Sequence, residues 1–271
     1  MSEDVSRVVV ITGASSGIGA ELARQLGRRG DTLVLAARSE EALAEVARES
    51  GTQTHVVRTD VTRRTDIEHL RDRALGAFGR VDVWINNAGR GIDRSVLELT
   101  GQDFDEMMAV NAKSALYAMQ AIVPHFQARG TGHLVNVSSS LGRVPLAPVR
   151  SAYNAAKAAL NALTANLRMD LAARWPGVHV SLVMPGVVAT PFARNALGAA
   201  PDVPLRSPAG MPPQTVEEAT AAIVDLLDHP RAELYTNPAS PPIVRRYYED
   251  VQAFEEAAHR AFAAAAPPPN D

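Results

Sequence analysis

The chain has 271 residues, 46% of them hydrophobic and 21% charged, with a formal net charge of −3 and no cysteine. Near-neutral charge with interspersed signs argues against electrostatic binding of nucleic acid, and the missing cysteines exclude disulfides, thiolate metal sites and a cysteine nucleophile. No apolar run approaches the roughly 20 residues that a membrane-spanning helix needs, and the polar, acidic residues 1–7 lack the pattern of a signal peptide, so a cytoplasmic protein without a membrane partner is expected. The basic residues divide into 25 arginines and only two lysines, which reads at first as codon usage.

Short apolar runs at 8–12, 32–37, 55–58, 81–86, 133–138, 178–184 and 233–236 alternate with stretches of helical period at 18–29, 39–49, 66–78, 102–127, 151–174 and 215–228. The Val, Leu and Ile content of the runs is continuous rather than alternating, as in strands covered on both faces. Such alternation predicts a doubly wound parallel sheet of Rossmann type: an α/β fold, one domain over residues 1–240, in three α/β/α layers with right-handed crossovers. Six prolines between 191 and 213 preclude a long helix there, and a loop of that length often covers a site. Val244, Tyr247, Val251, Phe254 and Ala258, spaced by three and four, predict an amphipathic helical extension over 241–266, followed by a disordered tail at 267–271.

The first strand runs into Thr12-Gly13-Ala14-Ser15-Ser16-Gly17-Ile18-Gly19 and then a helix. Glycines allow a tight turn and close approach of a phosphate to the main chain, while the helix start offers free N–H groups and a positive dipole end. The spacing Gly-x-x-x-Gly-x-Gly differs from the more common dinucleotide fingerprint, and no Gly-Lys-Ser/Thr follows, so this is not a P-loop. An ordinary glycine-rich turn is the alternative at this point. About 20 residues further on, where an acidic residue would bind a ribose 2′-hydroxyl and favour NAD(H), stand Ala37 and Arg38. A guanidinium suits a 2′-phosphate, so NADP(H) is expected over NAD(H).

Tyr153-Asn154-Ala155-Ala156-Lys157 opens a helix, and positions i and i+4 share one face. A free tyrosine has a pKa of about 10, and a nearby ammonium is expected to lower it towards the range of a useful acid–base catalyst. Asn136-Val137-Ser138-Ser139-Ser140 lies at the carboxyl end of a predicted strand, where α/β sheets place their ligand crevice. Asn136 also opens a glycosylation sequon, discarded because the strand is predicted to be buried. The seven histidines are scattered, so no metal site is expected.

Together these residues resemble the short-chain dehydrogenase/reductase family over roughly residues 8–236. The signatures that carry the likeness occur in the family's order: the 12–19 turn, Asp60-Val61, Asn86-Asn87-Ala88-Gly89, Asn111, the serine–tyrosine–lysine set, and Pro185-Gly186-Val187-Val188-Ala189-Thr190. The resemblance implies that Gly13, Ser15, Ser16, Gly17, Ile18 and Gly19 receive the cofactor phosphates, and that Asp60 and Val61 contact adenine. Asn87, Ala88 and Gly89 would line the cleft, and Pro185, Gly186, Val188 and Thr190 would hold the nicotinamide end. By the same likeness Asn111 steadies a proton-relay water near Lys157, and Lys157 binds the nicotinamide ribose.

The family's usual spacing before the tyrosine points to Ser140 as the catalytic serine, whereas Gly142, three residues after the other candidate, points to Ser139. Strand register decides which hydroxyl faces the cleft while loop length varies freely, so Ser139 is the choice. The activity implied is NADP(H)-dependent hydride transfer to or from a small carbonyl or alcohol, with Tyr153 as general acid or base. An NAD-dependent alcohol dehydrogenase and a non-catalytic NADP(H)-binding sensor or scaffold are the alternatives, and a homodimer or homotetramer is the analogy for assembly. Phe192, Leu197, Val203, Leu205 and Met211 hint at an apolar substrate, whereas Arg90 and Arg143 hint at an anionic one.

One of the two lysines stands at the position this chemistry requires. A bulky guanidinium, reluctant to release a proton, is a poor substitute there.

Overall fold

The computed structural model describes residues 6–198 and 213–265, with side chains to 261. Val203, Leu205, Met211 and the 267–271 tail lie outside the described residues. Seven strands form one parallel sheet: β1 (Val8–Thr12), β2 (Thr32–Ala37), β3 (Thr54–Arg58), β4 (Val83–Asn86), β5 (Gly132–Val137), β6 (Val178–Met184) and β7 (Glu233–Tyr235). Their order is β3-β2-β1-β4-β5-β6-β7, a Rossmann-like doubly wound arrangement. The strand sequence reverses direction across the sheet at β1 and β4, and their carboxyl ends border the crevice where such folds bind ligands.

Alternate residues of β1 feed opposite faces. Val8 and Val10 join Trp84, Phe126 and Leu134 on one side, while Val9 and Ile11 join Leu33, Leu35 and Ile85 on the other. The first layer is covered by α3 (Arg64–Phe78), α5 (Ser114–Arg129) and α6 (Ser151–Ala172). The second is covered by α1 (Gly17–Arg28), α2 (Glu40–Ser50) and α7 (Val216–Asp228). Covering both faces is why the strands read as unbroken apolar runs.

Two predicted helices are interrupted. The segment expected as one helix over 102–127 is α4 (Gly101–Met108), a π turn at Ala109–Lys113, and then α5. A π turn adds one residue without breaking the apolar stripe, so the periodicity conceals it. The amphipathic pattern of the extension runs through two helices, α8 (Ser240–Glu249) and α9 (Val251–Ala265). Asp250 takes an extended conformation between them, φ −154° and ψ 95°, and its carboxylate accepts a hydrogen bond from Ala253 N–H at 2.9 Å. An aspartate that caps the next helix competes with continuing the previous one. The Tyr247 and Phe254 rings still meet across the break, 5.5 Å apart.

A buried polar chain ties the sheet to α6. Trp84 Nε1–H donates to Asn86 Oδ1, Asn86 Nδ2–H to Asn136 Oδ1, and Asn136 Nδ2–H to Thr164 Oγ1, each at 2.9 Å. The Thr164 hydroxyl completes the chain by donating to Leu160 O at 2.7 Å. Asn136 is wholly buried, which takes its sequon out of reach of any modifying enzyme. Replacing Asn136 with leucine leaves the Asn86 amide without its acceptor. Asn136→Leu is therefore expected to lower stability by about 1–3 kcal/mol, seen as a lower urea midpoint at unchanged slope.

Candidate active site

The glycine turn and the β4 exit loop form one unit. Thr12 Oγ1 accepts hydrogen bonds from Asn87 N–H at 3.1 Å and Ala88 N–H at 3.2 Å, and Asn87 Nδ2–H donates to Thr12 O at 3.0 Å. Gly13 has φ +65°, and a Cβ there would lie 2.8 Å from Ala88 Cα. A Cβ on Gly19 would lie 2.4 Å from Gly13 O, so α1 can abut the turn only without one. Ser16 caps α1 with no side-chain hydrogen bond, and no acidic residue occupies the first turn. The start of this helix therefore keeps N–H donors and positive potential facing the crevice. Ser15 and Ile18 are half-buried beside it, and Gly17 opens the helix against Thr190, whose Cβ would meet a Cβ on Gly17 at 3.4 Å.

Arg38 is exposed at the end of β2. Burial would raise the Asp60 pKa, but hydrogen bonds from the Thr62 hydroxyl and N–H, with the charges of Arg38 and Arg63, outweigh it and hold the carboxyl below its usual range. The Val61 side chain packs in the core, so only its backbone is placed to face a ligand. On the opposite wall Pro185 O accepts from Ser140 N–H at 3.0 Å, Gly186 lies against Asn237 and Ser240, and Val188 pairs with Gln214.

Asn111, Ser139, Tyr153 and Lys157 are all buried and come together. Lys157 Nζ donates to Val137 O at 2.9 Å and lies 5.6 Å from the centre of the Tyr153 ring. Gly89 separates Asn111 from Lys157: a Cβ there would sit 2.9 Å from Asn111 Oδ1 and 3.6 Å from Lys157 Nζ. The Asn111 amide is spent on the main chain, accepting from Arg90 N–H at 3.1 Å and donating to Arg90 O at 2.9 Å. Those bonds leave the Asn111 side chain without a contact to Lys157.

Of the two serines, Ser139 is the one whose hydroxyl lies near enough to Tyr153 to pull its pKa down. Ser140 faces Val144, Leu146 and α8. Ser138 points to the other side of the strand, donating to Asn161 Oδ1 at 2.5 Å.

The electrostatics differ from the expectation that the ammonium lowers the phenol's pKa. Burial pushes Tyr153 up to about 12, against the pull of the nearby Ser139 hydroxyl and the Arg150 charge, and it pushes Lys157 down to about 7. The cause is the start of the proline-rich segment expected to cover a site. The segment 191–198 packs on the site: the Phe192 ring centre lies 5.6 Å from that of Tyr153, and Leu197 N–H donates to Gly91 O at 2.9 Å. The two arginines singled out for an anionic substrate are engaged elsewhere, Arg90 by Glu106 and Arg143 by Glu233. Sequence reading passed over Arg150 and Asp93, which form an ion pair at 3.2 Å beside Tyr153. Nothing in their spacing marks them.

A family model described as short chain dehydrogenase matches residues 7–199. An uncharacterised oxidoreductase of Staphylococcus epidermidis is 35% identical over 195 residues, covering 72% of this chain and 84% of the relative. A short-chain dehydrogenase/reductase from Burkholderia phymatum, solved in complex with NAD, matches with a TM-score of 0.81 at 30% identity, over 93% of this chain and 96% of that one. A short-chain dehydrogenase from Burkholderia cenocepacia, solved in complex with NADP, matches with a TM-score of 0.77 at 29% identity, over 93% and 97%. The chain belongs to the short-chain dehydrogenase/reductase family. It is an oxidoreductase of that family.

The buried lysine makes stability depend on pH. Its folded pKa lies near 7 and its unfolded pKa near 10.5, so between them the unfolded chain binds the extra proton and stability rises with pH. Lys157→Met loses this contribution. Urea unfolding at pH 7, 8 and 9 is expected to show wild type gaining on the variant by up to about 1 kcal/mol per pH unit.

Proposed function

We propose that the protein is an NADP(H)-dependent oxidoreductase that interconverts a small carbonyl compound and its alcohol, with Tyr153 as general acid or base. The observation that carries this reading is the convergence of Ser139, Tyr153 and Lys157 at the carboxyl end of β5, across the crevice from the glycine turn. The crevice fits a dinucleotide. The uncapped start of α1 and the Gly13–Gly19 turn suit a pyrophosphate, taken by Ser15, Ser16, Gly17 and Ile18. Asp60 and the Val61 backbone would meet the adenine, and Asn87, Ala88 and Gly89 would line the middle. Pro185, Gly186, Val188 and Thr190 would hold the nicotinamide end, and Lys157 the neighbouring ribose.

A bound nicotinamide cofactor supplies or accepts the hydride at the substrate's carbinol carbon. The chain's own residues handle the oxygen. Ser139 donates to it, and Tyr153 delivers or removes its proton; together they stabilise charge that develops as the bond changes. With Tyr153 held high by burial, the phenol is protonated at neutral pH and ready to act as the acid in the reducing direction. Asn111 holds the main chain at Arg90 rather than touching the substrate. The preference for NADP(H) rests on Arg38 at the edge of β2, with Ala37 rather than an acidic residue beside it.

We place residues 1–240 in one oxidoreductase domain and 241–266 in an extension. No helix among the described residues is long and apolar enough to cross a membrane, in keeping with work in the cytoplasm. Leu116, Leu163 and Leu167, above the buried Met119 and Val123, line one surface groove between α5 and α6, which supports a homodimer or homotetramer.

Tyr153→Phe is expected to abolish turnover across a panel of aldehydes, ketones and alcohols while leaving the NADPH dissociation constant, read by fluorescence, nearly unchanged. Robust turnover by that variant removes the tyrosine from its role, and binding without turnover by wild type makes the protein a sensor. Arg38→Asp is expected to weaken NADPH by about 10- to 100-fold relative to NADH, the loss of one charge-assisted contact. An unchanged ratio assigns the preference elsewhere.

A further inference from the structure

We propose that Arg150 selects the substrate, and that the substrate carries a carboxylate close to the carbonyl or alcohol that reacts. This rests on the reading of the site as a carbonyl–alcohol oxidoreductase and adds the chemical class of its substrate.

Arg150 stands at the cap of α6, three residues before Tyr153. Its backbone is held firmly: its N–H donates to Ala147 O at 2.9 Å, the adjacent Val149 O accepts from Arg94 N–H at 2.7 Å, and Ser151 Oγ–H donates to Arg94 O at 2.7 Å. The Nε edge of the guanidinium faces Asp93 Oδ1 at 3.2 Å. Nη1 is buried and has no hydrogen-bond partner. A charged donor taken out of water without an acceptor is among the costlier arrangements in a folded protein, so a site that retains one is short of an acceptor.

The position of that donor matters. A Cβ on Gly91 would lie 2.6 Å from Arg150 Nη1, 3.1 Å from Phe192 Cε1 and 3.2 Å from Ala196 Cβ. Phe192 in turn packs on the Tyr153 ring. The unpartnered guanidinium nitrogen and the aromatic cover thus close tightly over the bare Gly91 backbone, and that cover in turn lies on the phenol ring.

The surrounding charge favours an anion. An arginine at a helix cap opposes the helix dipole, and the first turn of α6 holds no acidic residue and no side-chain cap to offset it. Asp93 compensates at the Nε edge only. The neighbouring cations are committed: Arg94 to Asp103, Arg90 to Glu106 and Arg143 to Glu233. Arg94 and Arg143 each leave a single Nε–H unbonded, whereas Arg150 leaves a terminal nitrogen with two N–H groups, the arrangement that meets a carboxylate oxygen in a charge-assisted bond. The carboxylate is a spectator, since the reaction remains addition or removal of hydride and proton at the neighbouring carbon.

The test compares linear 2-, 3- and 4-oxocarboxylates with their methyl esters in wild type, Arg150→Met, Arg150→Lys and Asp93→Asn, each checked for a cooperative thermal transition. Wild type is expected to favour at least one acid over its ester by tenfold or more in kcat/KM, expressed mainly in KM. Arg150→Met is expected to bring the acid-to-ester ratio close to one, Arg150→Lys to restore part of it, and Asp93→Asn to keep it. If Arg150→Met fails to fold, the lysine variant and Asp93→Asn carry the comparison. Turnover of esters and neutral ketones with no preference for acids, or a ratio that survives in Arg150→Met, overturns the assignment of Arg150 and leaves the oxidoreductase reading intact. No turnover of any carbonyl compound despite NADPH binding removes that reading and this one with it.

Discussion

The position of Tyr153 depends on a polar seam between β5 and α6. Four consecutive residues of the strand end reach the helix. Asn136 donates to Thr164, the Val137 carbonyl accepts from Lys157, Ser138 donates to Asn161, and Ser139 meets Tyr153. Asn161 then returns a hydrogen bond to Gly142 O at 3.0 Å, fastening the loop that leaves the strand. Because these groups are buried, each bond is obligatory, and any rotation or slide of α6 would strand several donors together. Apolar packing brings a helix onto a sheet with some freedom of axial position. Here the polar contacts remove that freedom and set the phenol against the serine.

That seam also explains how much could be read in advance. Ser139 was preferred to Ser140 on strand register and on Gly142; in the structure Ser138 turns to Asn161 and Ser139 stands near Tyr153. The sheet itself was visible in unbroken Val and Ile runs, and the glycine turn in its spacing after β1. Other features left no mark. The π turn at Ala109–Lys113 adds a single residue to a helix whose apolar stripe continues on either side. The break at Asp250 lies within a pattern that carries on through it, because the aromatic contact between Tyr247 and Phe254 spans the interruption. Arg150 was one arginine among 25, and its importance comes from a tertiary neighbourhood of Asp93, Gly91 and Phe192 that no local spacing encodes.

The tyrosine and lysine were expected to form a charged partnership, and the fold sets them differently. An ammonium and a phenolate both lose hydration in a dry site, and their attraction must repay two desolvation penalties. Burial beneath Phe192 and the 191–198 segment therefore favours the neutral phenol and the neutral amine. Lys157 keeps a hydrogen bond to Val137 O in either state, so its position does not depend on its charge. The ionisation of this pair is governed by how closely the cover sits as much as by which residues lie below it.

The skewed choice of basic side chains has a further consequence for anyone handling the protein. Guanidinium groups do not acylate at neutral pH, so side-chain primary amines are confined to Lys113, exposed on the π turn, and Lys157, which is 3% exposed. Burial lowers the Lys157 pKa and so favours its nucleophilic, uncharged form, yet the amine is shielded by its surroundings. Among lysine side chains, amine-directed dyes, crosslinkers and resins therefore find a single address outside the crevice, and labelling of Lys157 would register the lifting of its cover.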